Sequence, residues 1–196
     1  TGDFSEAIEE LKLRASNDER DADSRVRLAR LIYGQAKDAE QALRYLDEAE
    51  AIAPGSLVVT GVRASILRAE GRTEDVRRTL DGYVADHNDF NAYLLRASFL
   101  NREGDLQNAE ADYKKLLSFA EKGTTGYELL SVFYAANDRI DQAVAAVEDG
   151  LLAYPQNAGL QRRLMTLLFS RGRLADRQQD RQRAMEILET LEQQSP

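Results

Sequence analysis

Residues 28–54 read LARLIYGQAKDAEQALRYLDEAEAIAP, and the spacing of the apolar side chains in this stretch decides the fold. Leu28, Ile32, Leu43, Leu46 and Ile52 follow i, i+3 and i+4 steps, the signature of helix rather than the strict alternation of a strand. A polar break at Lys37-Asp38 divides the stretch, and Pro54 stops it, because proline lacks the N–H that a continuing helix needs. The segment therefore predicts two amphipathic helices folded back on each other across a short turn. Residues 99–117, FLNREGDLQNAEADYKKLL, repeat the arrangement with Gly104 at the turn, and Leu160, Leu164, Leu167 and Leu168 show the same helical spacing further on.

The pattern recurs along the whole chain. Small or β-branched anchors followed four residues later by a larger side chain occur at Ala7, Ala42, Val76, Ala109, Ala143 and Ala184, separated by 35, 34, 33, 34 and 41 residues. A period near 34 is the length of one helix–turn–helix unit. The last interval contains seven additional residues, about two helical turns. Five residues before most anchors stands a turn residue, Gly2, Gly71, Gly104 or Asp138, where a left-handed or open backbone lets the chain reverse. Twelve residues after three of the anchors come Pro54, Pro155 and Pro196, each placed to end a second helix. Ala29, Ala64, Ala97 and Ser131 on first helices, and Ala42, Ala109, Ala143 and Ala184 on second helices, are small where two helix backbones must approach closely.

With these residues in place the chain resembles the tetratricopeptide repeat family. Unit five carries the family pattern at Leu130, Ser131, Tyr134, Ala143, Val147 and Pro155. Unit two carries it at Leu28, Ala29, Ile32, Ala42, Leu46, Ala49 and Pro54, with one extra residue in its turn, and unit four at Ala97, Leu100, Gly104, Ala109 and Tyr113. Unit three is looser, with Val76 as its anchor and Asn88 where proline would stand. The resemblance implies an all-α fold, a right-handed α-solenoid of stacked antiparallel helix pairs with about eleven helices. The expected division is a second helix of a truncated repeat over 1–21, repeats over 22–56, 57–89, 90–123 and 124–157, and a last repeat with the insertion over 158–196. Residues 2–11 match a second helix without its partner, so Phe4, Ile8 and Leu11 are expected to be less covered than their counterparts downstream. The opening Thr1-Gly2-Asp3, without an initiator methionine or a basic-then-apolar leader, reads as part of a longer chain.

In such a stack the small rotation between units creates a concave groove that binds other chains. The family's groove positions fall on first helices at Arg27, Arg30 and Tyr33; Val58, Val62, Ser65 and Arg68; Asn91, Leu94, Leu95, Ser98, Asn101 and Arg102; Glu128, Leu129 and Val132; and Arg162, Arg163, Thr166 and Phe169. Val62, Leu95 and Leu129 occupy equivalent places and suggest an apolar stripe, with arginines towards both ends. An extended peptide or amphipathic helix with an acidic flank suits that pattern, since arginine meets carboxylates in a bidentate fork. The same aliphatic residues would serve equally to pack neighbouring first helices together, and both readings stand at this stage. Some family members grip a C-terminal carboxylate with a Lys/Asn/Lys/Arg set. Here the matching places hold Val26, Arg30, Val62, Asn91 and Leu95, so that recognition is not expected.

Composition narrows the function classes. With 26 Lys and Arg against 34 Asp and Glu, the formal net charge is −8, which disfavours nucleic acid as a partner because phosphate neutralisation needs surplus cations. Hydrophobic residues make up 43% and charged residues 31%, as in a folded soluble chain. Cysteine is absent and His87 is the sole histidine, so thiol chemistry, Cys-ligated metals and a Ser–His–Asp triad lack their side chains. His87, among Asp86, Asn88 and Asp89, reads as the end of a helix, and the acidic pairs Glu9-Glu10, Asp47-Glu48 and Glu74-Asp75 read as solvated helix faces. No phosphate loop or dinucleotide fingerprint appears. No catalytic residue, metal or cofactor is therefore expected, and no segment approaches the roughly 20 apolar residues of a transmembrane helix. The inserted stretch GRLADRQQDRQRAME (172–186) reads either as a solvated extension capping the stack or as a docking point for a neighbouring domain. The functional expectation is a non-catalytic scaffold for a protein or peptide partner; a self-assembling oligomer and the regulatory arm of a larger enzyme or assembly complex are the alternatives. Both a cytoplasmic and a periplasmic location fit the sequence.

Overall fold

A computed structural model describes residues 2–174 and 177–194 of the chain. The expected proline stop at Pro196 lies outside the described residues. Eleven α-helices appear among the described residues, with no strand: α1 (Gly2–Asn17), α2 (Ala22–Ala36), α3 (Ala39–Ile52), α4 (Leu57–Ala69), α5 (Thr73–His87), α6 (Phe90–Glu103), α7 (Leu106–Lys115), α8 (Thr125–Ala136), α9 (Ile140–Ala153), α10 (Ala158–Leu174) and α11 (Gln178–Gln194). The chain forms two compact units, residues 1–96 and 97–196, and the division falls within α6.

Several helices start where a short polar side chain satisfies a backbone N–H that has no partner in the first turn. Asp21 accepts from Ser24 N at 2.9 Å, Asp38 from Gln41 N at 2.9 Å, Asp89 from Ala92 N at 2.8 Å and Asn157 from Leu160 N at 2.8 Å. The reversals follow from left-handed residues. Gly71 (φ 70°) and Gly104 (φ 80°) serve two hairpins, and Asp138 (φ 58°) and Lys37 (φ 56°) take the same conformation in two others. Helices α3 and α9 end at Ile52 and Ala153, two residues before Pro54 and Pro155.

In the first unit α2 packs on α3 and α4 on α5, while α2 also touches α1, and α4 touches α3. Val26, Ala29, Ala42, Leu46, Ala49, Val59, Val62 and Ile66 form one apolar cluster at these seams. Ala15, Leu28 and Ile32 form another, onto which Ile8 and Leu11 of α1 pack. Phe4 is 48% exposed and Leu11 only partly buried, whereas its counterparts Leu46, Leu80 and Val147 are buried. In the second unit Phe133 stacks on Tyr113 with ring centroids 4.8 Å apart, and Leu160, Leu164 and Leu168 are fully covered. All eight small seam residues, Ala29, Ala64, Ala97, Ser131, Ala42, Ala109, Ala143 and Ala184, are 0% exposed.

Two local features depart from the regular repeat. Helix α7 stops at Lys115 and continues as two 3-10 turns, Leu116–Ser118 and Ala120–Lys122. The carbonyl of Leu116 comes so close to Gly126 of α8 that a Cβ there would sit 3.1 Å from its oxygen. The seven inserted residues lengthen both α10 and α11 to 17 residues. Rather than a wholly solvated extension, the added turns enclose an ion pair: Arg171 donates through Nε and Nη2 to both oxygens of Asp180 at 2.6 Å, and Asp180 is only 8% exposed. Asp141 at the start of α9 joins this cluster, accepting from Arg171 at 3.1 Å and Arg177 at 2.8 Å. Burying two charges is tolerable because the fork satisfies them both.

Candidate functional site

The first unit presents a hollow of about 470 Å³ on the faces of α2 and α4, both first helices of their hairpins. Arg30, Tyr33 and Gly34 supply one wall, and Leu57, Val58, Gly61, Val62, Ser65 and Ile66 the other. Its origin is a pair of helical glycines. A glycine inside a helix costs about 1 kcal/mol relative to alanine, so its presence asks for a packing reason. Nothing lies within 4 Å of the place a Cβ would occupy at Gly34, and Leu95 of α6 lies 3.5 Å from the corresponding place at Gly61. A side chain at Gly34 would project into open space, and one at Gly61 would meet Leu95 at ordinary contact distance.

The lining is apolar with a polar edge. Val58 is 53% exposed, while Val62 and Ile66 form the floor. Tyr33 is held by a hydrogen bond from its hydroxyl to Glu70 at 2.9 Å, which keeps the phenol above its ordinary titration range, and Lys37 sits 5.0 Å from its ring centre. Arg30 is exposed and makes no hydrogen bond or ion pair within the described residues.

The structure thus gathers Arg30, Tyr33, Val58, Val62 and Ser65 from the sequence-derived set into one surface. The members of the set differ in exposure and partners. Val62 is 7% exposed and belongs to the core cluster with Val26 and Leu46, so it contributes the floor of a hollow and not an open stripe. Leu94, Leu95 and Leu129 are half-buried, whereas Val132 at 48% and Phe169 at 36% are the apolar side chains that reach solvent. Arg27 pairs with Asp23 on its own helix at 2.7 Å. Arg163 reaches back from α10 to the hydroxyl of the buried Ser131 at 3.1 Å, a structural role. Asn101 accepts from Asn137 at 3.0 Å, tying α6 to α8. Arg68, Asn91, Arg102 and Arg162 are exposed.

A second hollow, of about 480 Å³, lies in the second unit and is lined by Thr166, Phe169, Ser170, Arg173 and Arg181. Of these, Thr166 and Phe169 are read from the sequence; Arg173 and Arg181 fall in or beyond the inserted turns, where the repeat register gives no guide.

His87 ends α5, stacks on Tyr83 with centroids 4.0 Å apart, and sits against Gly55, where a Cβ would come within 2.6 Å of its Nε2. The ring fills the space that Gly55 leaves beside the α3–α4 turn. Among the described residues no three His, Asp or Glu side chains converge as a metal site, and no helix is long and apolar enough to cross a membrane.

A family model for the tetratricopeptide repeat matches residues 90–122, the hairpin of α6 and α7. No curated protein matches the chain. Among solved structures, the C-terminal part of a TPR repeat-containing protein from Cytophaga hutchinsonii is similar at 14% identity and a TM-score of 0.60, covering 94% of this chain and 74% of that one. PilW, described as a widely conserved type IV pilus biogenesis factor, is similar at 16% identity and a TM-score of 0.57, covering 97% and 85%. A tetratricopeptide repeat protein from Parabacteroides merdae is similar at 19% identity and a TM-score of 0.54, covering 100% and 75%. One hairpin thus matches the tetratricopeptide repeat, and the chain shares the fold of tetratricopeptide repeat proteins along nearly its full length.

Proposed function

We propose that the chain is a non-catalytic scaffold that holds a peptide or helix of a partner protein on its first-helix surface, with the hollow between α2 and α4 as the principal seat. The observation that supports this most is the hollow itself: an apolar floor of Val62 and Ile66, an exposed Val58, and an uncompensated Arg30 at the rim. An apolar side chain of the partner would leave water in the hollow while a carboxylate beside it meets Arg30, the division between anchor and rim usual in peptide recognition. Within the first unit, Arg68, Asn91, Leu94 and Leu95 are the further groove positions that such a partner would touch.

Selection from a displayed random-peptide library tests this. Enriched peptides should carry an apolar residue next to an acidic one. Val58→Asp or Gly34→Leu, which spoil the hollow at exposed positions, should weaken those peptides about tenfold or more while leaving the circular dichroism melt within a few degrees of the parent. Binding unaffected by either substitution, or no enrichment at all, overturns the assignment.

A further inference from the structure

The second unit carries a further hollow that lies away from the first-helix surface. It measures about 350 Å³ and is walled chiefly by second helices: Leu151 of α9 with Pro155 just beyond it, Ile187 and Thr190 of α11, and the buried Leu164 of α10. Gln161 of α10 completes the wall. It donates through Nε2 to the carbonyl of Pro155 at 3.3 Å, while its Oε1 is covered from solvent and accepts no hydrogen bond among the described residues. No other buried side-chain nitrogen or oxygen among the described residues is left in this way. A covered acceptor without a donor is destabilising, so its presence beside a hollow calls for an explanation. Of the two charged groups at the edge, Arg183 is paired with Glu148 of α9, which leaves the Glu186 carboxylate as the charge that an entering ligand meets.

We propose that this hollow binds a small uncharged aromatic molecule carrying one N–H donor, of which indole is the simplest example. The ring lies against Leu151, Pro155, Leu164 and Ile187, and its N–H gives Gln161 Oε1 the bond that oxygen lacks. Gln161 is half-buried and its amide is tied only by the long bond to Pro155, so the oxygen can turn into the hollow without disturbing the helix. The volume lies at the lower end of the range for ligand sites, which suits a molecule of one or two rings. Glu186, with Arg183 already paired, disfavours a ligand that carries a carboxylate. The proposal is independent of the scaffold reading: its site lies in the other unit and on second helices, and its ligand is not a polypeptide, so either stands when the other fails.

The full chain has no tryptophan, so the emission of an added indole can be followed without interference from the protein's own side chains. Fluorescence anisotropy should show saturable binding of indole with a dissociation constant below about 1 mM, and about fivefold weaker binding of N-methylindole, which keeps the ring and lacks the donor. Indoleacetate should bind more weakly than indole, because its carboxylate meets Glu186. Gln161→Leu keeps the wall and removes the acceptor, so this variant should bind indole and N-methylindole alike and melt at or above the temperature of the parent, with no acceptor left unpaired. Thr190→Phe, at an exposed edge position, should exclude both molecules. Leu152→Asn, at an 82% exposed side chain of α9 that does not line the hollow, should change nothing. Equal binding of indole and N-methylindole to the parent, a preference for indole that survives Gln161→Leu, loss of binding with Leu152→Asn, or no binding of indole at millimolar concentration would each overturn the proposal. A melting temperature lowered by Gln161→Leu would show the oxygen to be satisfied already and would overturn it as well.

Discussion

Between α4 and α6 of the first unit and α8 and α10 of the second, one repeated position changes from charged to apolar, and in α2 it is already apolar. The residue just before the small seam residue of a first helix is Leu28, Arg63, Arg96 and Leu130 in successive repeats, and Leu164, before Met165, holds the place in the last. In the first unit Arg63 crosses to Asp47 of α3 and Arg96 to Asp81 of α5, each at 2.8 Å, and both arginine side chains are about one-fifth exposed, at 21% and 22%. In the second unit Leu130 and Leu164 occupy the place and are buried to 4% and 2%. Lys114 stands in register with Asp47 and Asp81, so an arginine at position 130 would meet a like charge, while the register position before Leu164 is Glu148, which pairs with Arg183 of α11 instead. Where a carboxylate borders the seam, the seam can carry arginine at its wet edge; where lysine borders it, only an apolar side chain fits. The second unit instead concentrates its charges in networks off the seam, at Glu110 and at Asp180, whose side chains are 19% and 11% exposed, against 67% and 64% for Asp47 and Asp81.

The strongest way to break this comparison is Leu130→Arg. The substitution puts a guanidinium in a buried place with Lys114 in register opposite, and a buried charge that finds no partner is among the costliest changes known, about 3 to 5 kcal/mol. Urea denaturation should show the loss directly, with hydrogen exchange locating the opening in α7 to α9. A cost under about 1 kcal/mol would mean that the second unit tolerates at this seam what the first one uses.

An intermediate effect should separate the units by pH. Burial pushes the Glu110 carboxyl up, but hydrogen bonds from Lys114 at 2.7 Å, Arg139 at 2.7 Å and Tyr134 at 2.9 Å outweigh it and hold its pKa at about 2. A carboxylate whose folded pKa lies below its ordinary value of 4.5 contributes stability that is fully present above 4.5 and is lost as pH falls towards 2. Glu110→Gln should therefore destabilise by about 1 to 2 kcal/mol at neutral pH, allowing for solvent screening, and the difference from the parent should shrink to nothing near pH 2. On acidification the second unit should exchange amide hydrogens before the first, since its partly buried carboxylates lose most on protonation. Melting curves of the two proteins that stay parallel from pH 7 to pH 2 would contradict the network.

The sequence alone reveals the repeat because the seams demand it: Ala42, Ala109 and Ala143 are small where helix backbones meet, and Asp138 sits at a turn that needs a left-handed residue. These constraints are local and periodic, so they show as spacing. The binding surface is less legible, because it depends on what side chains leave empty. Gly34 and Gly61 create the hollow by absence, and Val62 is one position round the helix from the exposed face, enough to move it from stripe to core. The fate of an arginine is settled by partners far along the chain: Arg163 finds Ser131 thirty-two residues away and Arg171 finds Asp141 thirty away, pairings that no spacing rule announces. The 3-10 turns after α7, where Leu116 lies close to Gly126, likewise have no signal in the period.

The smallest effect sharpens the comparison most. Arg63→Leu gives α4 the leucine found at this position in α2, α8 and α10. The Asp47 carboxylate it leaves is 67% exposed and remains hydrated, so no buried charge is stranded. An exposed ion pair contributes about 0 to 1 kcal/mol, and the leucine recovers a comparable amount by covering apolar surface, so stability should change by less than about 1 kcal/mol in either direction. What should change is the salt response. Between 50 mM and 500 mM salt the parent loses the Arg63–Asp47 attraction and the variant has none to lose, so the gap between their urea midpoints should move in the variant's favour as salt rises. A loss of more than about 2 kcal/mol at both salt concentrations would show that the arginine packs the seam through its methylene stem and not through its charge.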